Sequence, residues 1–516
     1  MRKRVGRVIT ILLLAFIHFV VLIFLLLQSG KFQSFVITKV VDYFAQEYEL
    51  KLSIQKFDVK LPAKLGFSGV YLEDQTGDTL LYADGVFAKI ADIKIKSRTI
   101  YIDKLELNKP YINAYVDTLG KANTDFILEL FSSTDTTESE GINIFLNEFD
   151  LVSARLRYND FTKETKTNGF DPAHIEVSGL SVAVSDFQMY GDTIELDLNN
   201  LCFKESIGFK LYNLSTHIIY QPQGIVLNDL VIKTAKSSLV ASVNIQGDDE
   251  NYLDDIINDT KIDLDIDTCV ISLSDVRCFL PDIGISNDKV HFAGNIKGRL
   301  SDIKLKNFAL KYGYQTHLYA DLSINGLPDL ENTFIFGDVG DMQVSVIDVE
   351  KILRVINSGI NPDLPANAYQ VGLISFKGNL VGLYNDLVAY GEFNTPVGNL
   401  KTDISVKNEL ESGFITYNGT LTGNKIDVGH IMMDTENFGI VSFDTKIGGT
   451  LDTLNQFTAD IDIKLSQLGL KAYNYSNVSF NGSVSNTMFN GELLIKDPNM
   501  DVEFLGSYDN TTGTPV

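Results

Sequence analysis

The sequence predicts a mainly β protein with a single N-terminal transmembrane helix. Three observations predict it. Val8–Leu27 form one apolar run of 20 residues, enough to cross a hydrocarbon core of ~30 Å as a helix. More than 450 residues beyond it are dominated by apolar/polar alternation with period two, the signature of strands with one dry and one wet face. Proline is rare, 11 in 516 residues, as expected of long ladders that use their N–H donors.

The anchor comes first. Arg2, Lys3, Arg4 and Arg7 precede the apolar run, so the positive-inside rule puts the N-terminus in the cytoplasm and the body across the membrane. Only Thr10 and His18 interrupt the run. His18 reads as an uncharged imidazole tolerated in the span, since no second span offers a proton-relay partner. The rival reading is a cleaved signal peptide. Its apolar region would be ~7–15 residues, followed by small residues at the cleavage site. This run is longer, and Gln28-Ser29-Gly30-Lys31-Phe32 is a poor match. Residues 1–30 are therefore expected to form a cytoplasmic tip and an uncleaved anchor.

Residues 31–48 follow as an amphipathic helix. Phe32, Phe35, Val36, Val40, Tyr43 and Phe44 recur at helical spacing, with Lys39, Asp42 and Gln46 elsewhere. Such a helix would cap the first strand, whose edge otherwise exposes unpaired backbone groups.

Strands fill the remainder. Ile262-Asp263-Leu264-Asp265-Ile266-Asp267 and Ile461-Asp462-Ile463-Lys464-Leu465 alternate without a break, and Ile102–Leu107 alternates with one shift. Thr76-Gly77-Asp78, Asn325-Gly326, Asn418-Gly419 and Asn481-Gly482 read as turns between strands. Two motifs recur in order. One is Asp-Val-x-x-apolar-apolar, beginning at Asp275, Asp348 and Asp427, with a looser copy at Asp125; Asp suits an N-cap, so each copy predicts a short amphipathic helix. The other is a glycine-containing strand: Phe292–Gly298, Phe376–Gly382 and, more weakly, Phe443–Gly449. The helix copies lie 73 and 79 residues apart and each is followed by its strand copy, the pattern of an elongated repeat protein.

Composition excludes several functions. Residues 1–31 hold five cations and no acid, so the rest of the chain has a net charge of -29 against -24 for the whole. A body this acidic is repelled by phosphate backbones, so no nucleic-acid partner is expected, and by anionic lipid headgroups, so it should stand away from the membrane. At 45% hydrophobic and 21% charged it is too apolar for disorder. Cys202, Cys269 and Cys278 are an odd number without a C-x-x-C; they read as small buried hydrophobes, with a Cys269–Cys278 disulfide as the alternative in an oxidising compartment. No G-x-S-x-G, P-loop, dinucleotide fingerprint or H-E-x-x-H is present, so no enzyme and no cofactor is expected. Asp263, Asp265 and Asp267 imitate a calcium comb, but the intervening Leu264 and Ile266 mark a strand with a wet acidic face, and the EF-hand glycine and distal Glu are missing.

The single span, the helix from Phe32 and the segment Gly69-Val70-Tyr71-Leu72-Glu73-Asp74-Gln75-Thr76-Gly77-Asp78-Thr79-Leu80-Leu81-Tyr82-Ala83 resemble the start of the TamB family, the inner-membrane subunits of the translocation and assembly module. The repeats beyond are similar to the wider AsmA-like superfamily of repeating β-groove proteins. The resemblance runs over most of the chain with loose motifs, the Gly69–Ala83 segment being the most specific. It departs at the end. The chain stops in Asn510–Val516 without the family's C-terminal domain, so an N-terminal portion of such a protein is expected.

The resemblance implies an elongated, twisted, open β-sheet groove in the periplasm, with a few short helices. It implies phospholipid acyl chains and the inner membrane as partners, an outer-membrane β-barrel assembly protein as a further one, and no catalytic residues to transfer. The groove would start at residues 49–260 and continue through repeats at 261–516. Its candidate lining is Ile262, Leu264, Ile266, Ile461, Ile463 and Leu465; the alternative is that these six fill a closed sandwich core. The corresponding functions are phospholipid transport between membranes or outer-membrane protein assembly, against a β-repeat adhesin or envelope scaffold without lipid transport.

Overall fold

The computed structural model describes residues 22, 25–26, 29–48, 51–60, 64–97, 99–125, 143–249, 252, 255, 258–284, 286–329, 331–356, 364–383, 385–409, 414–452 and 456–509. The expected span over Val8–Leu27 lies almost wholly outside them, as do His18 and residues 126–130 of the looser helix motif. Among the described residues no helix is long and apolar enough to cross a membrane. Among the described residues the protein is mainly β, 68% strand, with five short helices. Two compact units divide it. One comprises Met1–Gln221, Val226–Lys236 and Cys278–Pro281; the other comprises Pro222–Ile225, Ser237–Arg277 and Asp282–Val516.

In the first unit the helix Gly30–Tyr48 packs on the strand Leu52–Lys60, with Phe32 and Phe57 rings 6.4 Å apart. Its half-buried stripe is Phe32, Val36, Ile37, Val40 and Val41, at the i, i+4 spacing of one helix face. Phe35 and Tyr43, expected on that face, are exposed: Phe35 lies across the helix from the stripe, and Tyr43 lies at the stripe's edge in the helix's last turns. The strands then pair in sequence to Thr99–Asn108, Tyr111–Val116 pairs back with Thr79–Lys94, and Asn143–Asp160 runs parallel to both Thr99–Asn108 and Tyr111–Val116 and antiparallel to His174–Tyr190. Parallel pairing needs a crossover, which the chain makes between Val116 and Asn143.

The turn in the Gly69–Ala83 segment is organised by Asp74, which is buried. Its carboxylate accepts the N–H groups of Thr76 (2.9 Å) and Asp78 (3.0 Å), the Thr76 hydroxyl (2.7 Å), the Tyr115 hydroxyl (3.0 Å) and the Asn123 amide (3.2 Å). Burial alone would raise its pKa, but these hydrogen bonds outweigh it and hold the carboxyl below the usual range.

The second unit is an antiparallel ladder of consecutive strands from Ser238–Gly247 to Met500–Asp509. Its repeat is four strands long. The strands Thr260–Ser272, Phe334–Ser345 and Phe414–Asp427 are every fourth strand, and each runs into a helix: Leu273–Val276, Val346–Ile356 and Val428–Met432. The Asp motif does two different jobs. Asp427 is an N-cap, accepting the His430 N–H at 2.9 Å. Asp275 and Asp348 are not caps but latches inside the first turn. Ser237 Oγ donates to Asp275 and accepts the Ser272 N–H; Thr316 Oγ1 donates to Asp348 and accepts the Ser345 N–H. Both hydroxyl–carboxylate bonds are 2.6 Å. Each latch ties the helix to the start of an earlier strand, Ser237 just before Ser238–Gly247 and Thr316 at the head of Thr316–Asn325, so the same residue type at the same motif position fixes the repeat.

The glycine motif has a backbone cause. Gly294, Gly298, Gly378 and Gly382 have φ of 135°, 123°, 155° and 143°, a region reserved for residues without a Cβ. A Cβ on Gly298 or Gly382 would also overlap the carbonyl of Asp302 or Asp386 on the next strand. Two expected turns are strand interior instead: Asn418-Gly419 lies within Phe414–Asp427, and Asn481-Gly482 within Val478–Ser485. Their glycines serve close strand approach, a Cβ there overlapping the carbonyls of Asp403 and Asn490. The three cysteines are free thiols. Cys269 is buried, which pushes its thiol up to about 11.

At the far end Asp497 joins Met488–Asp497 to the short strand Tyr473–Tyr475. It accepts the N–H groups of Asn499 and Ser476 (both 2.9 Å) and the hydroxyls of Tyr473 (2.7 Å) and Ser476 (3.0 Å). These bonds, led by Asn499, hold its carboxyl down to about 2. A folded pKa below the unfolded value of about 3.9 stabilises fully above about pH 4, and the stabilisation is lost as pH falls through the folded value. Amide exchange across residues 473–509 should therefore accelerate as pH drops from about 4 to about 2, after correction for intrinsic rates. The change should be smaller in Asp497→Asn, which starts with weaker protection at neutral pH.

Candidate functional site

The candidate site is a face of the sheet, not a pocket, and it is built by register. One cross-strand row passes through fifteen strands of the second unit: Val243, Leu264, Ile296, Leu305, Leu322, Gly337, Leu380, Ala389, Ile404, Gly419, Ile447, Ile461, Gly482, Gly491 and Gly506. No position in it carries a polar side chain. Because strand side chains alternate, the rows two residues away share its face. The row through Ile262 continues as Gly298, Ile303, Ile324 and Ile335. The row through Ile463 continues as Phe480, Leu493 and Phe504. The row through Leu465 links Phe376, Phe393, Leu400, Gly423 and Phe443 to Val478, Ile495 and Val502. Hydroxyls interrupt only sparsely, at Thr402 and Thr445 in the Ile463 row and at Tyr417 and Tyr508 in the Ile262 row.

The opposite face is wet. Its central row starts Asn244, Asp263, Lys297, Lys304, Ser323 and ends Asn418, Gly448, Asp460, Ser483, Asn490, Ser507; Phe336, Val381 and Val388 are its apolar exceptions. Exposed ion pairs lace it: Lys297–Asp263, Lys306–Asp321 and Lys401–Glu392, each 2.8 Å. Such exposed pairs add little to stability; their value here is that they mark this face as solvated. Asp263 of the acidic comb is thus an ion-pair partner of Lys297.

All six sequence-predicted lining residues fall on the apolar face. Leu264 and Ile461 share the central row; Ile262, Ile463 and Leu465 lie in the flanking rows. Ile266 is also on this face, opposite Ala241 and Gly294, but it alone of the six is fully buried. The others are half-buried, as is every member of the central row except Gly337. Packing on this face is lateral. One buried cluster is Ala241, Ile266 and Cys269 with Leu264 and Ile296 against it; another is Ala320, Val339 and Phe376 with Leu322 and Leu380. Each draws only on adjacent strands, whereas a closed sandwich buries such residues against a second layer.

The residues missed from sequence are the middle of the row, Leu305, Leu322, Leu380, Ile404 and Ile447, and its glycine end. The glycines look like gaps but are roofed by rings. A Cβ on Gly482 or Gly491 would meet the Phe480 ring, and one on Gly506 the Phe504 ring. The Phe-x-Gly spacing of Phe480-Asn481-Gly482 and Phe504-Leu505-Gly506 was the available signal.

The first unit carries a shorter row of the same kind: Val59, Leu65, Ala88, Leu105, Phe149, Val184 and Leu198, ending at Thr216. Among the described residues no cluster of His, Cys, Asp and Glu is arranged to hold a metal. No protein-family model, no curated protein and no solved structure matches the chain.

Proposed function

We propose that the apolar face is a track for lipid acyl chains. On this reading the chain is an inner-membrane-anchored periplasmic β-groove protein that moves phospholipid between membranes or supports outer-membrane protein assembly. The observation that carries the reading is the fifteen-strand row, which carries no polar side chain and is half-exposed at every position but Gly337 from Val243 to Gly506. Neighbouring strands are ~4.8 Å apart, so the row runs roughly 70 Å. An acyl chain on it keeps much of the ~0.8 kcal/mol per CH₂ that water would cost. Uniformity favours movement, because a deep pocket would hold one chain in place. The resemblance to the TamB family supports the same reading, and the N-terminal apolar run supplies the anchor. Transfer of a labelled phospholipid between vesicles tests it: the chain should accelerate transfer, and Leu264→Asp should abolish the acceleration.

A further inference from the structure

We propose that a patch on the solvated face of Phe334–Ser345, Leu373–Leu383 and Asp386–Thr395 docks a basic, aliphatic segment of a partner protein. The inference stands apart from the lipid track, which lies on the opposite face. Period-two alternation fails on these three strands. Phe334-Ile335-Phe336, Leu380-Val381-Gly382-Leu383 and Leu387-Val388-Ala389 are continuous apolar runs, the pattern of strands covered on both faces. One side of the runs supplies the track, with Ile335, Leu380 and Ala389. The other side emerges on the solvated face. Register sets Phe336, Val381 and Val388 in one row there, with Phe334 and Leu383 paired on one flank and Tyr390 on the other. Phe334 is 43% exposed, Phe336 44%, Leu383 38% and Tyr390 62%. Together they offer on the order of 400 Å² of mostly apolar surface, the size of patch that often marks an interaction site.

The border selects the occupant. Asp338 and Asp403 lie in one cross-strand row with Asn379 and Tyr390. Neither forms an ion pair among the described residues, whereas Asp321, beside Asp338, is taken by Lys306 at 2.8 Å. Asp386 adds a third carboxylate at the hairpin end, with Lys407 opposite it on the next strand. The border is therefore net negative, on a body that carries -29 beyond residue 31. Anionic lipid is repelled by such a border, and a second copy of the chain brings the same acidic charge. A segment with two or three aliphatic side chains between lysines or arginines satisfies both the rings and the carboxylates. The patch is small beside a permanent interface of about 800 Å² per partner, so the contact is a transient one.

The chain contains no tryptophan, so Tyr390→Trp places a single reporter in the patch, and Tyr508→Trp places one on the apolar face. The full chain is held in phosphatidylcholine nanodiscs and titrated with a synthetic peptide of alternating leucine and lysine. The expected result is a saturable blue shift of the Tyr390→Trp reporter and none from Tyr508→Trp. The glutamate counterpart of the peptide should give no shift. Adding Phe336→Thr to Tyr390→Trp should weaken binding roughly tenfold, and adding Asp338→Asn with Asp403→Asn roughly threefold. Circular dichroism checks that each variant is folded. A silent Tyr390→Trp reporter, or an equal shift from Tyr508→Trp, would overturn the inference. So would quenching of the Tyr390→Trp reporter by brominated phosphatidylcholine before peptide is added, which would assign the patch to a lipid surface. A shift that follows protein concentration without peptide would assign it to a second copy, and would overturn the inference as well.

Discussion

Aspartate at Leu264 or at Ile463 should abolish phospholipid transfer while leaving the protein folded. Both side chains are half-buried on the apolar face, in the central row and in its neighbour. A carboxylate there keeps access to water, so the expected loss of stability is about 1 kcal/mol, a shift of a few degrees in Tm. An acyl chain crossing the same point meets an ionised group that it cannot solvate, at a cost of several kcal/mol. One such barrier in a single-file track stops flow along it. A closed core would respond differently: an unpaired buried charge would cost well over about 4 kcal/mol and unfold the unit. Circular dichroism and thermal melting of the two variants, run beside the transfer assay, separate the cases.

The second large effect is expected at Gly382. Its φ of 143° and the overlap of a Cβ with the Asp386 carbonyl leave no room for alanine without moving the hairpin to Asp386–Thr395. Gly382→Ala should cost roughly 3 kcal/mol. In a repeat ladder stability is partly local, so the damage should concentrate in the strands Leu373–Leu383 and Asp386–Thr395. Hydrogen exchange should show protection lost there first, with the strands near Leu264 little changed. Gly340, whose nearest neighbour to an added Cβ is 3.6 Å away and whose φ is ordinary, is the control expected to tolerate alanine.

Much of this face was legible in the sequence because period-two alternation is a local signal. Ile262–Ile266 and Ile461–Leu465 announce their own dry side without reference to neighbours, and the register then places all six residues on one face. Glycine was harder. Asn-Gly reads as a hairpin, yet Gly419 and Gly482 sit in mid-strand because the adjacent strand presses close, a constraint that lies elsewhere in the chain. The Asp motif marks a helix at Asp275, Asp348 and Asp427, but only Asp427 is the expected N-cap. Asp427 bonds locally to His430, whereas the Asp275 and Asp348 partners are 38 and 32 residues away. The parallel pairing of Asn143–Asp160 was invisible for the same reason: its partners Thr99–Asn108 and Tyr111–Val116 lie across a long connection. Local periodicity therefore predicts which face is dry, while long-range partners decide what the punctuating residues do.

The central claim is that the apolar face is open to lipid, and bound lipid measures that most directly. Residues 29–516, made in a bacterial host and purified without detergent, should show several co-purified phospholipids per chain by native mass spectrometry and lipid extraction. A monodisperse, lipid-free protein would contradict the account. It would mean that the apolar rows close on one another, leaving a scaffold or adhesin as the better reading.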